Sequence, residues 1–370
     1  MSDRSGRRPA CALLWVALSW VSPSALAQQA GLLIRVLDAA GREPIANALL
    51  AVENAATGFR QELRADVDGQ ARLSGLSTGG EYVVQASASG SGDFVRSTPL
   101  SLRNNFVSSV TLLMPAPTLS AVIVEGSQVV TTLNQVNAEV SATLGERELA
   151  ALPIEGRDVV SALVRLPNVV PSTGFFPEAP GISINGANGL FVNYLIDGLD
   201  NNENFLGGQK FPVPLGFARD VTVLANNYSA EFGRSATGIV NISSRSGSNE
   251  FESEFYSLLR PGRPPDADSP FPQRDLTGNP VGGGFERFQG GATFGGPLAR
   301  DRTFLFSNLE YTRDTNETVL DAPAVGAVTG LEGNNEFLLA SLRLDHRIGD
   351  RWSGTLRGNL GRITIERPGG

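Results

Sequence analysis

The side chains that could do chemistry are few and scattered. His346 is the only histidine of the 370 residues and Cys11 the only cysteine. Nucleophilic catalysis needs a hydroxyl or thiol beside a base that a third group orients. No such trio is visible; Gly75-Leu76-Ser77-Thr78-Gly79 has the Gly-x-Ser-x-Gly spacing, but no histidine stands near it in the sequence to make it a nucleophile elbow. His346 falls on the apolar face of an alternating segment near its end, the place of a membrane-interface residue. The densest oxygen cluster is Asp197, Asp200, Asn201, Asn202, Glu203 and Asn204, directly after a β-prone run. Such ligands suit a hard cation, but Asn/Asp runs also build turns and loop apices. We read Asn201, Asn202, Glu203 and Asn204 as a ligand-facing loop, with no metal, no cofactor and no catalytic residue assigned. Asp66 and Asp68 pose the same choice ahead of Gly69, and a turn with local backbone bonds is preferred over calcium.

Bulk properties narrow the class. Thirty basic against 38 acidic residues leave a net charge of -8, the wrong sign for a nucleic-acid partner. Forty-two glycines and 22 prolines point to many turns and to β-structure. Arg4, Arg7 and Arg8, an apolar run from Ala12 to Val21, and Ser24-Ala25-Leu26-Ala27 form an export signal, residues 1–27, cleaved after Ala27. An uncleaved anchor helix is the competing reading, although the run is shorter than the ~20 residues a helical span needs. Cys11 lies inside the signal, so the mature chain has no thiol and must be held by a core or a closed barrel. No later segment reaches transmembrane-helix length, so any span must be made of strands.

The elements that would position a site fall into three stretches. Residues 28–115 carry short strands at Leu32–Leu37, Ala48–Val52, Gln70–Leu73, Tyr82–Ala86 and Ser109–Leu113, broken by Gly and Asp, as in a small β-sandwich. Through Val36-Leu37-Asp38, Gly41, Pro44-Ile45, Asp66, Asp68-Gly69 and Gly79-Gly80-Glu81-Tyr82 this stretch resembles the carboxypeptidase regulatory-like domain, an immunoglobulin-like sandwich. Residues 116–127 follow as a linker. Within it Ser120, Ala121, Val122, Ile123 and Val124 are a β-prone run, either the last strand of the sandwich or a segment open to strand addition.

Residues 128–245 change to a mixed α/β pattern. Gly145–Pro153 predicts a helical turn stopped by proline, and Val159, Val160, Leu163 and Leu166 have helical spacing over Arg157–Leu166. Strands are expected at Gly181–Asn185, Asn193–Asp197, Asp220–Leu224 and Ile239–Ser243, with a further one opening at Glu250. Leu152-Pro153-Ile154-Glu155-Gly156-Arg157-Asp158, Leu163–Val169, Ile182–Gly186, Asn193–Gly198 and Asn226–Phe251 together resemble the plug of TonB-dependent outer-membrane receptors, in particular the Oar-like group.

From 246 to 370 the strands alternate. Leu338, Ala340, Leu342, Leu344, His346 and Ile348 oppose Leu339, Ser341, Arg343, Asp345 and Arg347, and Trp352, Leu356 and Leu360 oppose Ser353, Arg357 and Asn359. One apolar and one polar face is what a lipid-exposed barrel with a wet lumen requires. A two-residue turn at Gly349-Asp350 would mix the faces, so a three-residue turn pairing Ile348 with Trp352 is predicted. At roughly 10 residues per strand plus loops this stretch makes about six strands, fewer than the ~8 of the smallest barrels. The expectation is an incomplete barrel, from a fragment or a truncated product.

The fold expected is therefore mainly β: an immunoglobulin-like sandwich, an α/β plug, then the first strands of an incomplete transmembrane antiparallel β-barrel. The resemblance implies energy-coupled ligand uptake across the bacterial outer membrane, with the sandwich in the periplasm. It makes Ser120–Val124 a TonB-box-like site for a TonB-type inner-membrane energy-coupling protein. Outer-membrane lipid and an unidentified small molecule or peptide are the other partners. An Oar-like binding, scaffold or adhesion protein without transport is the alternative.

Overall fold

The computed structural model describes residues 30–39, 42–77, 79–87, 94–102, 107–114, 140–152, 154–172, 181–205, 207–228, 232–262, 285–322, 324, 326–349 and 352–366. The N-terminal strands are β1 (Ala30–Asp38), β2 (Leu49–Asn54), β3 (Phe59–Arg64), β4 (Gln70–Leu76), β5 (Glu81–Ser87), β6 (Phe94–Arg96), β7 (Leu100–Ser101) and β8 (Val107–Met114). They form two sheets, β4-β1-β8 and β3-β2-β5-β6, with β7 also on β5. Alternate residues Leu32, Ile34 and Val36 of β1 point inward and meet Leu50, Val52, Tyr82, Val84 and Leu112 in one core. The Tyr82 hydroxyl donates to the Ser77 carbonyl at 2.8 Å, and burial pushes its pKa up to about 12. Asp66 makes the expected turn, its Oδ1 accepting from the backbone N–H groups of Asp68 and Gln70 at 2.9 and 2.8 Å. Strand β3 had no sequence signal. It reads Phe-Arg-Gln-Glu-Leu-Arg on an exposed edge, where no period-2 apolar pattern is required.

The central domain contains β9 (Val140–Leu144), α1 (Glu146–Ala151), α2 (Val159–Ala162), β10 (Val169–Pro171), β11 (Ile182–Ile184), β12 (Val192–Ile196), β13 (Leu199–Asp200), β14 (Ala218–Asn226) and β15 (Gly238–Ser244). Its sheet runs β13-β12-β15-β14-β9, with β12 and β15 parallel and β14 and β15 antiparallel. The helix expected over Arg157–Leu166 is cut short. Gly156 and Arg157 are left-handed, with φ of 64° and 52°, so the helix cannot begin there. Asp158 caps it instead, accepting from the N–H groups of Val160 and Ser161 at 3.1 and 3.2 Å. The last turn tightens to a 3-10 turn, Leu163–Arg165.

The C-terminal sheet is an antiparallel meander of β16 (Glu252–Arg260), β17 (Phe285–Ala299), β18 (Thr303–Ala322), β19 (Ala327–Ile348) and β20 (Trp352–Ile365). Strands of 20 and 22 residues in β18 and β19 explain why five strands, and not six, occupy the described part of this stretch. The sheet is open, with β16 and β20 at its edges. Ile348 pairs with Trp352, as face matching predicted.

The two faces are inverted relative to a soluble sheet. Phe255, Phe294, Leu342, Leu356 and Leu360 are exposed, whereas Gln289, Asn308, Glu310, Thr312, Ser341 and Arg343 are buried. The polar face packs against the central domain, where Phe306 joins the core and lies 6.1 Å from the Phe217 ring. Leu342→Arg, on the apolar face opposite Gly358, is expected to cost about 2–4 kcal/mol of folding into phospholipid vesicles if it sits at the midplane. Asn359→Arg on the other face is expected to cost far less. Urea titration of vesicle-inserted full-length protein checks this, and equal costs would contradict the facing.

Candidate functional site

The polar face of the C-terminal sheet carries two arginines directly opposite one another, Arg343 on β19 and Arg357 on β20. Like charges so placed repel, so the pair needs an anion between them. Asp197 supplies it. The residue ends β12 at a double left-handed turn, with φ of 50° at Asp197 and 79° at Gly198, which Gly198 N–H secures by donating to Asn241 Oδ1 at 2.9 Å. Its carboxylate accepts from Arg357 at 2.7 Å and lies 3.7 Å from Arg343. It also accepts from the Ser244 N–H and hydroxyl at 2.8 and 2.6 Å. Arg343 donates in turn to the Ser244 carbonyl at 3.0 Å and to Asp345 at 2.9 Å, and Thr355 donates to Asp345 at 2.6 Å.

Two arginines and two aspartates thus balance in a cluster that is nearly closed to solvent. Burial alone would raise the Asp197 pKa, but Arg343, Arg357 and the two Ser244 bonds outweigh it and hold the carboxyl below its ordinary value. A second contact lies across the sheet. The Arg157 guanidinium sits 3.9 Å from the Tyr256 ring centre, the Tyr256 hydroxyl donates to Glu310, and Gln289 bridges Glu310 and the Gly156 carbonyl at 3.2 and 3.1 Å. At the junction, Arg245 gathers Glu146, Glu252 and Glu254 at 3.3–3.9 Å. This network fastens the central domain to the inside of the sheet.

The oxygen-rich loop divides. Asn201 and Asn202 are buried and serve the domain itself. Asn201 exchanges side-chain bonds with the Phe211 backbone at 2.8 and 3.0 Å. Asn202 donates to Asn193 and Asp200 at 2.7 and 2.6 Å and accepts from the Tyr194 N–H at 2.9 Å. Glu203 accepts from the Phe205 N–H at 2.9 Å, and Asn204 accepts from Arg234 at 3.1 Å. Beside them Phe205, Phe191, Leu190 and Leu199 are exposed, an apolar apex that the polar composition concealed. Ser120, Ala121, Val122, Ile123 and Val124 lie outside the described residues.

The chain matches three family descriptions in succession. Residues 31–113 match the carboxypeptidase regulatory-like domain, 132–240 the TonB-dependent receptor plug domain, and 243–352 an outer membrane beta barrel domain. A curated relative, the TonB-dependent transporter Oar of Myxococcus xanthus, is 27% identical over 308 residues, which cover 81% of this chain and 28% of that protein. The chain therefore spans little more than a quarter of that relative. Among solved structures, the outer membrane transporter YddB from Escherichia coli gives a TM-score of 0.47 at 15% identity, covering 59% of this chain and 32% of that one. The siderophore receptor PirA from Acinetobacter baumannii gives 0.45 at 18%, covering 61% and 32%.

Asp197→Ala leaves two buried arginines facing each other and is expected to destabilise the chain by about 3–5 kcal/mol, as for other broken buried pairs. Because the folded pKa is depressed, the carboxylate's contribution is full above the unfolded value of about 3.9 and is lost as pH falls through the folded value. Stability measured by urea midpoint between pH 7 and pH 2 is therefore expected to drop at the acid end in the wild type, with that part of the drop missing in Asp197→Asn.

Proposed function

We propose that this chain, with its successive matches to a plug domain and an outer membrane beta barrel domain, is part of a TonB-dependent outer-membrane receptor that resides in the bacterial outer membrane and performs ligand-gated, energy-coupled import. The central domain is the plug, residues 128–245, and the C-terminal sheet from 246 onward supplies barrel strands around it. Residues 28–115 are the periplasmic sandwich. The observation that carries the reading is the buried cluster of Asp197, Arg343 and Arg357. It joins a plug turn to two barrel strands by charges whose exposure to water offsets much of the cost of separating them. A contact that is strong when closed and readily hydrated when opened suits a plug that must stay seated and then move.

Binding falls to the plug apex. Phe191 and Phe205 offer aromatic surface, with Asn204, Arg234 and the edge of Glu203 as polar neighbours, a combination that suits a small molecule or peptide with both apolar and hydrogen-bonding groups. Asn201 and Asn202 shape this loop from within. On the other side, Ser120–Val124 is the segment a TonB-type protein would capture as an added strand, through backbone donors and acceptors flanked by β-branched Val122, Ile123 and Val124. No reaction is assigned to the chain.

Ile123→Pro removes a backbone donor and an extended-strand conformation. It is expected to abolish crosslinking to the coupling protein and to stop uptake while leaving ligand binding intact. Unchanged crosslinking and uptake would overturn the coupling mechanism. Phe205→Ala is expected to weaken binding of the ligand identified by uptake screening by about tenfold, corresponding to ~1.4 kcal/mol, without altering the urea midpoint.

A further inference from the structure

The N-terminal sandwich is bonded to two different bodies at once. The tip between β2 and β3 is preshaped by buried Asn54, which donates to the Gly79 carbonyl at 2.7 Å and accepts from the Thr57 N–H at 3.2 Å. The tip offers three consecutive carbonyls, and all three are taken by the C-terminal half of the chain. Asn249 N–H donates to Ala56 at 2.8 Å. Arg347, at the end of β19, donates to Thr57 at 3.1 Å and to Gly58 at 3.4 Å, with its guanidinium 5.7 Å from the Phe59 ring. Asn249 is itself held by two 2.8 Å bonds to Asp301 in the turn between β17 and β18.

The fit is close. Gly58 has a φ of +62°, and a Cβ there would stand 2.0 Å from Asp301 Oδ1, so any larger residue is strained and must displace the Asp301 side chain. The plug makes a separate bond. Arg219 of β14, clamped by Asp220 at 3.0 and 2.7 Å, donates to the Leu102 carbonyl of the sandwich at 2.8 Å.

We propose that the N-terminal sandwich is a strap, docked on the barrel's periplasmic turns through the Ala56–Gly58 carbonyls and on the plug through Leu102. A third body bonded to both parts resists their relative displacement, because any such movement must break the Arg219 bond or the Arg347 set. The strap deepens the import reading and rests on it for the direction of plug movement. The docking itself does not.

A disulfide tests it. A Cβ built at Gly79 lies 3.6 Å from Ser246 Cβ, within the roughly 3.5–4.5 Å that a disulfide spans, and Gly79 needs no left-handed conformation. Within these 370 residues Cys11 is the only cysteine, and it is replaced by Ser in the test protein. In full-length protein carrying Gly79→Cys and Ser246→Cys, most molecules in isolated outer membranes are expected to show the non-reducing gel shift. Arg219→Ala with Arg347→Ala is expected to lower that yield several-fold, and Arg347→Lys, which keeps the charge without the fork, to lie between. Closing the disulfide is also expected to slow hydrogen exchange in β14 and β15. A yield no higher than for Gly79→Cys with Thr364→Cys, far along β20, or one indifferent to both arginines, overturns the docking. A closed disulfide with unchanged exchange overturns the strapping role. Undiminished uptake with the disulfide closed and exchange slowed counts against the import reading alone.

Discussion

A carboxylate cannot be buried without a partner, and two guanidinium groups cannot share a sheet face without an anion. Asp197, Arg343 and Arg357 solve both problems together. The plug turn at Asp197 and the barrel strands β19 and β20 complete one another electrostatically while seated, since removing either side's charge in place leaves a buried carboxylate alone or two like charges in register. The rest of the C-terminal half follows from that constraint. β12 must end where its carboxylate reaches the lumen, β15 must bring Ser244 alongside, and the two strands must present arginines at one level.

The inverted faces of the C-terminal sheet obey the same logic on a larger scale. A strand whose polar residues are buried and whose leucines are exposed would be unstable in water, where apolar burial drives folding. It is stable where the outside is hydrocarbon and the inside is filled by a polar-surfaced domain. The plug is therefore part of the reason the sheet holds its lumenal residues. Gln289 bridging the Gly156 carbonyl and Glu310, and Phe306 in the plug core, are barrel side chains that a plug completes. The sandwich extends this arrangement outward, with guanidinium-to-carbonyl bonds in place of ion pairs.

What was legible in the sequence was what is local. Alternation in Leu338–Ile348 reports the two faces because its period is 2, and the same faces fix the Ile348–Trp352 pairing before any coordinates are seen. The turn at Asp66 follows from side-chain bonds spanning two to four residues. The failures are non-local. The helix at Arg157–Leu166 starts late because the left-handed pair Gly156–Arg157 is seated against Gln289 and Tyr256, which periodicity does not register. Asp197 and Arg357 are 160 residues apart, so an oxygen-rich cluster read as turn or loop concealed the anion that the arginines require. Composition likewise does not distinguish Asn202, bonded inward across two strands, from Asn204 at the surface.

The most direct measurement is a double-mutant cycle on the unfolding free energy of vesicle-inserted full-length protein, using Asp197→Asn, Arg357→Gln and the pair. A plug fastened by this cluster predicts strong non-additivity, a coupling of about 1.5 kcal/mol or more, within the range for residues in one buried network. Additivity to within about 0.5 kcal/mol, the behaviour of independent sites, would contradict it.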